Sequence, residues 1–237
     1  INLAVDTKHV PMVFFLINDR GVRLKPYEIL KGKLLGQIDK SELDSQDYNK
    51  KWEDAVNRVN KFREDEIDSF FRYWLKAKYV ASRKDGQRFD ADYHREMLKA
   101  DMDKLLQLDH NAVGVKAFLN ATFSYYTELY AKIWNATGSI NACYPAVHFN
   151  ALNEQDNQFM LIISACKVRD PDEDNKINVV SAEIDRAFSL LQLQGAYDSN
   201  SFAELLFKIS AEIRDQDTAN IPGIFDKHLI AELAKNR

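Results

Sequence analysis

The fold of this chain is decided by the stretch 115–134, VKAFLNATFSYYTELYAKIW, in which large side chains recur every three or four residues. This spacing places them along one face of an α-helix. A stripe so rich in aromatic residues is more typical of a core helix than of a cofactor site. The positions on it are Val115, Phe118, Leu119, Thr122, Phe123, Tyr126, Leu129, Tyr130, Ile133 and Trp134.

The composition also favours helices. Only 8 glycines and 5 prolines occur in 237 residues, whereas sandwiches and barrels need many turn-forming residues. A hydrophobic content of 46% with 29% charged residues excludes an intrinsically disordered chain. The sequence therefore predicts an all-α, multi-helix bundle of roughly eight or nine helices, with one possible strand at 1–5.

Apolar periodicity places the other helices. Pro26 stands where a helix begins, and Pro222 introduces the last one. Between them, helices are predicted over 52–62, 67–75, 159–166 and 177–191. Residues 82–92 and 170–176 are predicted to be polar loops, and Ser201 with Glu204 has the pattern of a capping box.

Charge is distributed unevenly along the chain. The net charge of −4 and a pI near 5.8 exclude a generic nucleic-acid binder. Two stretches are nevertheless basic, 20–33 and 72–88. Each is either a solvated helix face or a surface that faces phosphates, and the sequence leaves both interpretations open.

Two cysteines, Cys143 and Cys166, are too few for a disulfide framework. Both lie among apolar residues, so both are expected to be buried thiols. The chain contains neither an apolar run long enough to cross a membrane nor a signal-peptide pattern, which predicts a cytoplasmic protein without membrane contact. Because it begins with Ile1, we expect a piece of a longer protein.

The spacing of Asp170, Asp172 and Asp174 is that of the first ligands in a calcium-binding loop. Asn175 and Ser181, however, stand where such a loop has glycine and a bidentate glutamate. A solvated acidic loop between two helices is the favoured interpretation.

Other metal and catalytic patterns are weak. His228 and Glu232 are four residues apart and could share a metal ion, but no third ligand is evident nearby. The sequence has no nucleophile elbow, P-loop or dinucleotide fingerprint. It thus predicts no catalytic residue, no metal site and no cofactor in this chain, and leaves open whether the chain is an enzyme.

One local cluster has a specific pattern: Phe15-x-x-Asn18-Asp19-Arg20-Gly21-x-x-Leu24-x-x-x-Glu28-Ile29-Leu30-Lys31. The turn contains Asn and Arg, its Gly leaves backbone N–H groups accessible, and a helix N-terminus follows. Such a turn is well suited to binding an anion. A plain corner between two helices is the alternative. The candidate nucleotide- or phosphate-binding residues are Asn18, Arg20, Gly21, Arg23, Lys25 and Lys31.

These residues resemble the end of the ParB/sulfiredoxin-like N-terminal domain of GmrSD-type restriction proteins. The similarity continues through EILKGKLL at 28–35, FFRYWL at 70–75 and YPA at 144–146. It implies that 1–36 are the remnant of a ParB-like α/β domain and that 37–237 form a helical domain. It also implies NTP-dependent restriction of foreign, often base-modified DNA, which is a phage-defence function.

The resemblance assigns nucleotide chemistry to an upstream Asp-Gly-Gln-Gln-Arg motif and cleavage to a downstream nuclease domain. The similar run 85–88, DGQR, follows the Asn18–Gly21 turn, lacks one Gln, and is interpreted as a turn. The chain is therefore expected to contact nucleic acid or couple domains, without a complete active site. NTP and a divalent metal ion would belong to the full-length protein. DNA and a nuclease domain, of the same chain or of a partner, are the implied partners, and a homo-oligomer is left open.

The alternative belongs to another class of protein. In that interpretation the chain is an all-helical protein-interaction or oligomerisation module without a ligand.

Overall fold

A computed structural model describes residues 24–235, and all regular structure in that range is helical. The helices are α1 Pro26–Leu35, α2 Lys40–Ser45, α3 Tyr48–Asn60, α4 Glu66–Tyr79, α5 Arg83–Glu96, α6 Ala100–Leu106, α7 Ala112–Ala117, α8 Ser124–Thr137, α9 Ala146–Leu152, α10 Asn157–Ala165, α11 Glu173–Leu193, α12 Ser199–Glu212 and α13 Ile221–Ala234. A π-helical segment, Phe118–Phe123, joins α7 to α8, and a 3-10 turn, Thr218–Asn220, precedes α13. The all-α prediction is confirmed for this range.

The prediction of eight or nine helices is wrong, because the structure contains additional short helices that the prediction did not include. The chain makes sharp turns with residues other than glycine. Asp47, Asp65, Gln107, Glu154 and Arg169 all adopt the left-handed backbone conformation, which is uncommon outside glycine. A low glycine content therefore does not mean few turns in this protein.

The aromatic stripe at 115–134 lies in the core, as predicted. Phe123 stacks on Trp52 of α3, with ring centroids 4.8 Å apart, and on Phe71 of α4 at 5.5 Å. Tyr130 meets Phe70 edge-on at 5.5 Å. Beside this cluster runs α10, in which every side chain from 158 to 165 is buried, and it packs against α4, α11 and α12.

Residues 82–92, predicted to be a loop, form most of α5. Ser82 caps the helix by accepting a hydrogen bond from the backbone N–H of Asp85. Phe89 and Tyr93 are the only large apolar side chains that it buries, so its apolar signal in the sequence is weak. The run 85–88 is accordingly part of a helix and not a turn, and α5 departs from helical geometry at Asp92.

Two other local predictions need correction. The loop predicted at 170–176 ends early, because α11 already begins at Glu173. The cap of α12 is Asp198, which accepts from the N–H of Ser201 at 2.8 Å, so Ser201 is not the capping residue. The helices predicted over 52–62, 67–75, 159–166 and 177–191 are confirmed as α3, α4, α10 and α11, with shifts at their ends.

Most of the predicted α/β remnant at 1–36 lies outside the described residues, since the structure describes nothing before Leu24. The part within them is helical. Pro26 lies in the first turn of α1, as predicted, and Leu30 and Leu34 are buried in the common core. No helix in the range 24–235 has the length and apolar character needed to cross a membrane.

Candidate functional site

The predicted phosphate-binding residues are only partly within the structure. Asn18, Arg20, Gly21 and Arg23 lie outside the described residues. The remaining two, Lys25 and Lys31, both form ion pairs.

Lys25 binds carboxylates in the turn before α4, and Lys31 binds a carboxylate of α3. The ammonium group of Lys25 lies 2.7 Å from Asp65 and 3.3 Å from Glu64. The hydrogen bond to Asp65 raises the pKa of Lys25 above its ordinary value, although burial opposes the shift. Lys31 lies 3.0 Å from Glu53 of α3. Both cations thus connect α1 to the rest of the bundle.

The second basic stretch is also used within the molecule. Lys76 lies 2.5 Å from Asp90, and Arg88 lies 2.5 Å from Asp101. Lys78 donates to the carbonyl groups of Ser164 and Cys166 as well as to Asp215. Cations at a helix C-terminus stabilise its free carbonyl groups, so Lys78 holds the end of α10.

The acidic segment 170–174, which leads into α11, borders a groove of about 580 Å³. Asp170 and Lys176 form a buried ion pair at 2.7 Å. Burial raises the pKa of Asp170, but the hydrogen bonds from Lys176 and from two backbone N–H groups outweigh it and hold the pKa below its ordinary value. Asp172 accepts from Asn175 at 2.5 Å, and Asp174 pairs with Lys132 at 2.6 Å. Protein groups therefore already satisfy these three carboxylates.

His228 does not point towards Glu232. Its Nε2 atom lies 2.9 Å from Glu212 of α12, whereas Glu232 pairs with Lys235 at 2.5 Å. Within residues 24–235 no three His, Cys, Asp or Glu side chains come together in a way that could hold a metal ion.

The two cysteines differ in their exposure to solvent. Cys166 is buried, as predicted, and burial raises the pKa of its thiol to about 12. Cys143 is exposed, so the prediction for it is wrong. It lies in the loop 138–145 between α8 and α9, where its apolar neighbours in the sequence do not enclose it.

The loop around Cys143 belongs to a long uncharged segment. Residues 133–153 contain no Asp, Glu, Lys or Arg, although 29% of the whole chain is charged. The segment covers the end of α8, the loop 138–145 and all of α9. Three large apolar side chains in it are exposed: Ile140 at 61%, Phe149 at 43% and Leu152 at 67%. We call the exposed part of 133–153 the uncharged surface.

Helix α9 buries Ala146 and Val147, as expected of apolar residues, but departs from the usual distribution at three other positions. Asn150 is completely buried, while Phe149 and Leu152 on the same short helix face solvent. Asparagine is among the mostly exposed residue types, and phenylalanine and leucine are among the most buried. Burial of a polar side chain beneath an exposed apolar one is a local conflict of the kind that functional sites produce.

Hydrogen bonds hold α9 in this orientation. The Asn150 amide donates to the carbonyl group of Ser181 in α11 at 2.9 Å, and Gln158 donates to the carbonyl group of Val147 at 3.3 Å. The Nδ1 atom of His148 lies 2.7 Å from the carbonyl oxygen of Thr137, which ties α9 to the end of α8. The Asn150 Oδ1 atom has no protein partner. The helix is thus fixed by polar contacts beneath the uncharged surface.

The end of α8 is fixed in a similar way. Glu66 is 2% exposed and accepts hydrogen bonds from Tyr130 at 2.5 Å and from Trp134 at 3.3 Å. Arg63 neutralises it at 2.7 Å. Trp134 also stacks on Phe62, with centroids 5.6 Å apart. The uncharged segment is therefore anchored in the core at its beginning.

Sequence reasoning had not identified the uncharged surface. The absence of charge over 133–153 was readable, but it is equally consistent with a buried helix. Only the packing of α9 against α8 and α11 decides which of its side chains face outward.

Comparisons of the chain with protein-family models, with curated proteins and with solved structures find no match. The resemblance of residues 14–35 to GmrSD-type proteins therefore stays a prediction from the sequence.

Proposed function

We propose that this chain is a helical protein-interaction module that binds protein through its uncharged surface. The observation that carries the proposal is the exposure of Phe149 and Leu152 on helix α9, on which Asn150 is buried. The centre of a protein–protein interface is depleted of charged residues and enriched in aromatic and apolar ones. The exposed residues of 133–153 include no Asp, Glu, Lys or Arg, and they include the large apolar residues Ile140, Phe149 and Leu152.

The surface is also preorganised for binding. The contacts of Asn150, His148 and Trp134 hold α9 and the end of α8 on the core. A contact surface that is already ordered loses little conformational entropy when it binds. This favours recognition of a folded protein partner by a rigid helix face.

The basic stretches support the same proposal indirectly. Lys25, Lys31, Lys76 and Arg88 each lie within 3.0 Å of a carboxylate oxygen. A phosphate group would have to compete with these carboxylates. Their positions are those of cations that join helices to one another.

Two matched double variants test the proposal. Ile140→Asp with Leu152→Asp places two charges on the uncharged surface. Val113→Asp with Ile230→Asp places the same charge at sites that are 72% and 67% exposed elsewhere. In an extract of the native host, we expect the wild-type chain and the control to elute from gel filtration above the mass of a free chain. The first variant should elute as the free chain.

An equal elution volume for both variants would contradict the proposal. So would elution of the wild-type chain at the mass of a free chain in the extract. Circular dichroism and urea unfolding confirm that both variants are folded before the comparison is made.

A second candidate function follows from the pattern at 15–31, Asn-Asp-Arg-Gly followed by a helix N-terminus. On that proposal the chain is the helical part of a GmrSD-type, NTP-dependent restriction protein, and Arg20 and Lys25 contact phosphates. Binding to a DNA duplex, measured by fluorescence anisotropy, should weaken steeply with added salt. Arg20→Ala with Lys25→Ala should weaken it further, and Lys40→Ala with Lys104→Ala should not. Equal behaviour of the two variants, or no binding, contradicts this function.

A further inference from the structure

We infer that residues 10–17 of the same chain cover the uncharged surface, and that a partner protein has to displace this segment in order to bind. The inference rests on the proposed interaction function and names the regulation of that site. Residues 10–17 precede the described part of the chain. Three observations carry the inference: the sequence of the segment, the charges that border the surface, and the point at which the described chain begins.

The segment 10–17 is VPMVFFLI, an apolar run without a polar or charged side chain. Burial against another apolar surface stabilises such a run, because it removes the run from water. The uncharged surface offers Ile140, Phe149 and Leu152 together as exposed apolar side chains. Elsewhere among the described residues, large exposed apolar side chains are single on their helices: Leu105 on α6, Val113 on α7, Leu193 on α11 and Ile230 on α13.

Carboxylates border the uncharged surface where α9 ends. Glu154 and Asp156 follow Leu152 by two and four residues and are exposed, and neither forms an ion pair within residues 24–235. Partial burial of its carboxylate raises the pKa of Asp156 above its ordinary value, and Glu66 and Glu154 add to this against the opposing effect of Arg63. The border therefore has an excess of negative charge, which favours an occupant with basic residues beside its apolar ones.

The sequence around 10–17 has this charge pattern. Lys8 precedes the apolar run, and Arg20 and Arg23 follow it. Asp19 is the one acidic residue between 8 and 23. An apolar run flanked by cations thus complements an apolar surface bordered by carboxylates, both in polarity and in charge.

The described chain begins beside the same border. Lys25 binds Asp65 at 2.7 Å, and the next residue, Glu66, accepts a hydrogen bond from Trp134 at 3.3 Å. The carboxylate of Glu66 is also close enough to raise the pKa of Asp156. Trp134 lies at the start of the uncharged segment, and Asp156 lies just past its end. The residues that precede Leu24 therefore start next to the uncharged surface.

The connection is long enough for the contact and short enough to favour it. Ile17 precedes Leu24 by seven residues, which span up to about 25 Å when extended. Helix α9 has 7 residues and is about 10 Å long. Along this path the two arginines reach the carboxylates at the border first, and the apolar run follows over α9. A tether of this length gives an effective concentration on the order of millimolar, so even a weak contact is populated within one chain.

Labelling of Cys143 in the full chain tests the inference. Cys143 is exposed on the uncharged surface and Cys166 is buried, so a maleimide dye reacts at one position. Phe14→Asp with Phe15→Asp removes the apolar contact and should raise the labelling rate at least about fivefold over wild type. Val113→Asp with Ile230→Asp is the control and should label like wild type. Equal rates for the wild type and the Phe14→Asp with Phe15→Asp chain overturn the inference.

Exchange of charges gives a second set of variants. Arg20→Glu with Arg23→Glu should also raise the labelling rate of Cys143, and so should Glu154→Lys with Asp156→Lys. The combination of all four substitutions places opposite charges together again and should return the rate towards that of wild type. A combination that labels as fast as each half overturns the inference.

Cross-linking locates the segment. Met12→Cys places a thiol within the apolar run, and a short bismaleimide should join it to Cys143 in the same chain, with a yield that does not depend on chain concentration. In the control, Cys143→Ser removes this target and Lys61→Cys supplies another, exposed just before the turn that Lys25 binds. The yield with Cys143 should be several fold higher. Equal yields would mean that the tether alone brings the thiols together, which overturns the inference.

The two proposals fail differently. Equal labelling of wild type and Phe14→Asp with Phe15→Asp, alongside a complex in host extract that Ile140→Asp with Leu152→Asp abolishes, overturns the intramolecular contact and leaves the interaction function standing. Protection of Cys143 in a chain that elutes free from the extract, with and without Phe14→Asp and Phe15→Asp, overturns the interaction function and leaves the contact standing. If both hold, Phe14→Asp with Phe15→Asp should increase the fraction of the chain that elutes as a complex.

Discussion

Asn150 is completely buried, while its neighbour in the chain, Phe149, keeps 43% of its surface exposed. Folding usually distributes these two residue types the other way round. The Asn150 amide donates one hydrogen bond to Ser181 across the helix pair, and its Oδ1 atom has no protein partner. Helix α9 thus leaves part of its apolar surface exposed to solvent, as expected for a surface that another protein covers.

The stability effects of Asn150 should follow from this arrangement. Asn150→Asp places a carboxylate where Oδ1 has no donor, and we expect it to lower the free energy of unfolding by about 3 kcal/mol at neutral pH. Asn150→Leu loses one hydrogen bond but also removes the unpaired oxygen, so it should stay within about 1 kcal/mol of wild type. Urea unfolding measures both. Both variants lose the bond to Ser181, so a leucine variant less stable than the aspartate variant would contradict the expected cost of the buried charge.

The ion pair between Lys176 and Asp170 should contribute far more than the exposed pairs around it. Its side chains are 4% and 1% exposed, so Lys176→Met leaves a buried carboxylate unpaired and should cost about 3–5 kcal/mol. Lys132 pairs with Glu173 and Asp174 but is 34% exposed, so Lys132→Met should cost about 1 kcal/mol or less. Similar losses in the two variants, measured by urea unfolding, would contradict the role of burial.

The sequence predicts the fold well wherever apolar spacing is strong. Periodic apolar residues identified α3, α4, α8, α10 and α11 because each buries a broad apolar face. The prediction failed at α5, where Phe89 and Tyr93 are the only large apolar side chains that the helix buries. The prediction also failed at the short helix α2, because the turn that follows it is made by the left-handed Asp47 and no glycine or proline marks it.

The candidate surface was harder to predict than the fold. The sequence shows basic residues such as Lys31 and Lys76, but their partners Glu53 and Asp90 lie on other helices. A sequence does not show which cation faces which carboxylate. Likewise, Phe149 and Asn150 are adjacent letters, and the packing of α9 on α11 decides which of them is buried.

Replacement of Gly114 should destabilise the protein, in contrast to replacement of Gly223. A Cβ atom at Gly114 would collide with the backbone oxygen of Gln107 and with the side chain of Asn111, which caps α7. We expect Gly114→Ala to cost about 1–3 kcal/mol. Nothing lies within 4 Å of a Cβ atom at Gly223, so Gly223→Ala should stabilise by up to about 1 kcal/mol. Thermal unfolding compares them, and a neutral Gly114→Ala would mean that the loop at Gln107 moves without cost.

His94 should make the protein sensitive to acid. Its side chain is 10% exposed, and its Nδ1 atom lies 2.8 Å from Asp92 but out of alignment for a hydrogen bond. Burial lowers the pKa of His94 below its ordinary value of 6.5, and the positive charges of Arg95 and Lys33 add to this against the opposing effect of Asp92. Because the folded pKa is the lower one, the unfolded chain takes up the proton first, and stability is lost as the pH falls from 6.5 towards the folded value. His94→Phe should flatten the dependence of the unfolding free energy on pH between about pH 8 and pH 5. His110, which is 94% exposed, provides the control, and His110→Gln should leave that dependence unchanged. A pH-independent difference between wild type and His94→Phe would show that His94 takes up its proton equally well in the folded and the unfolded chain.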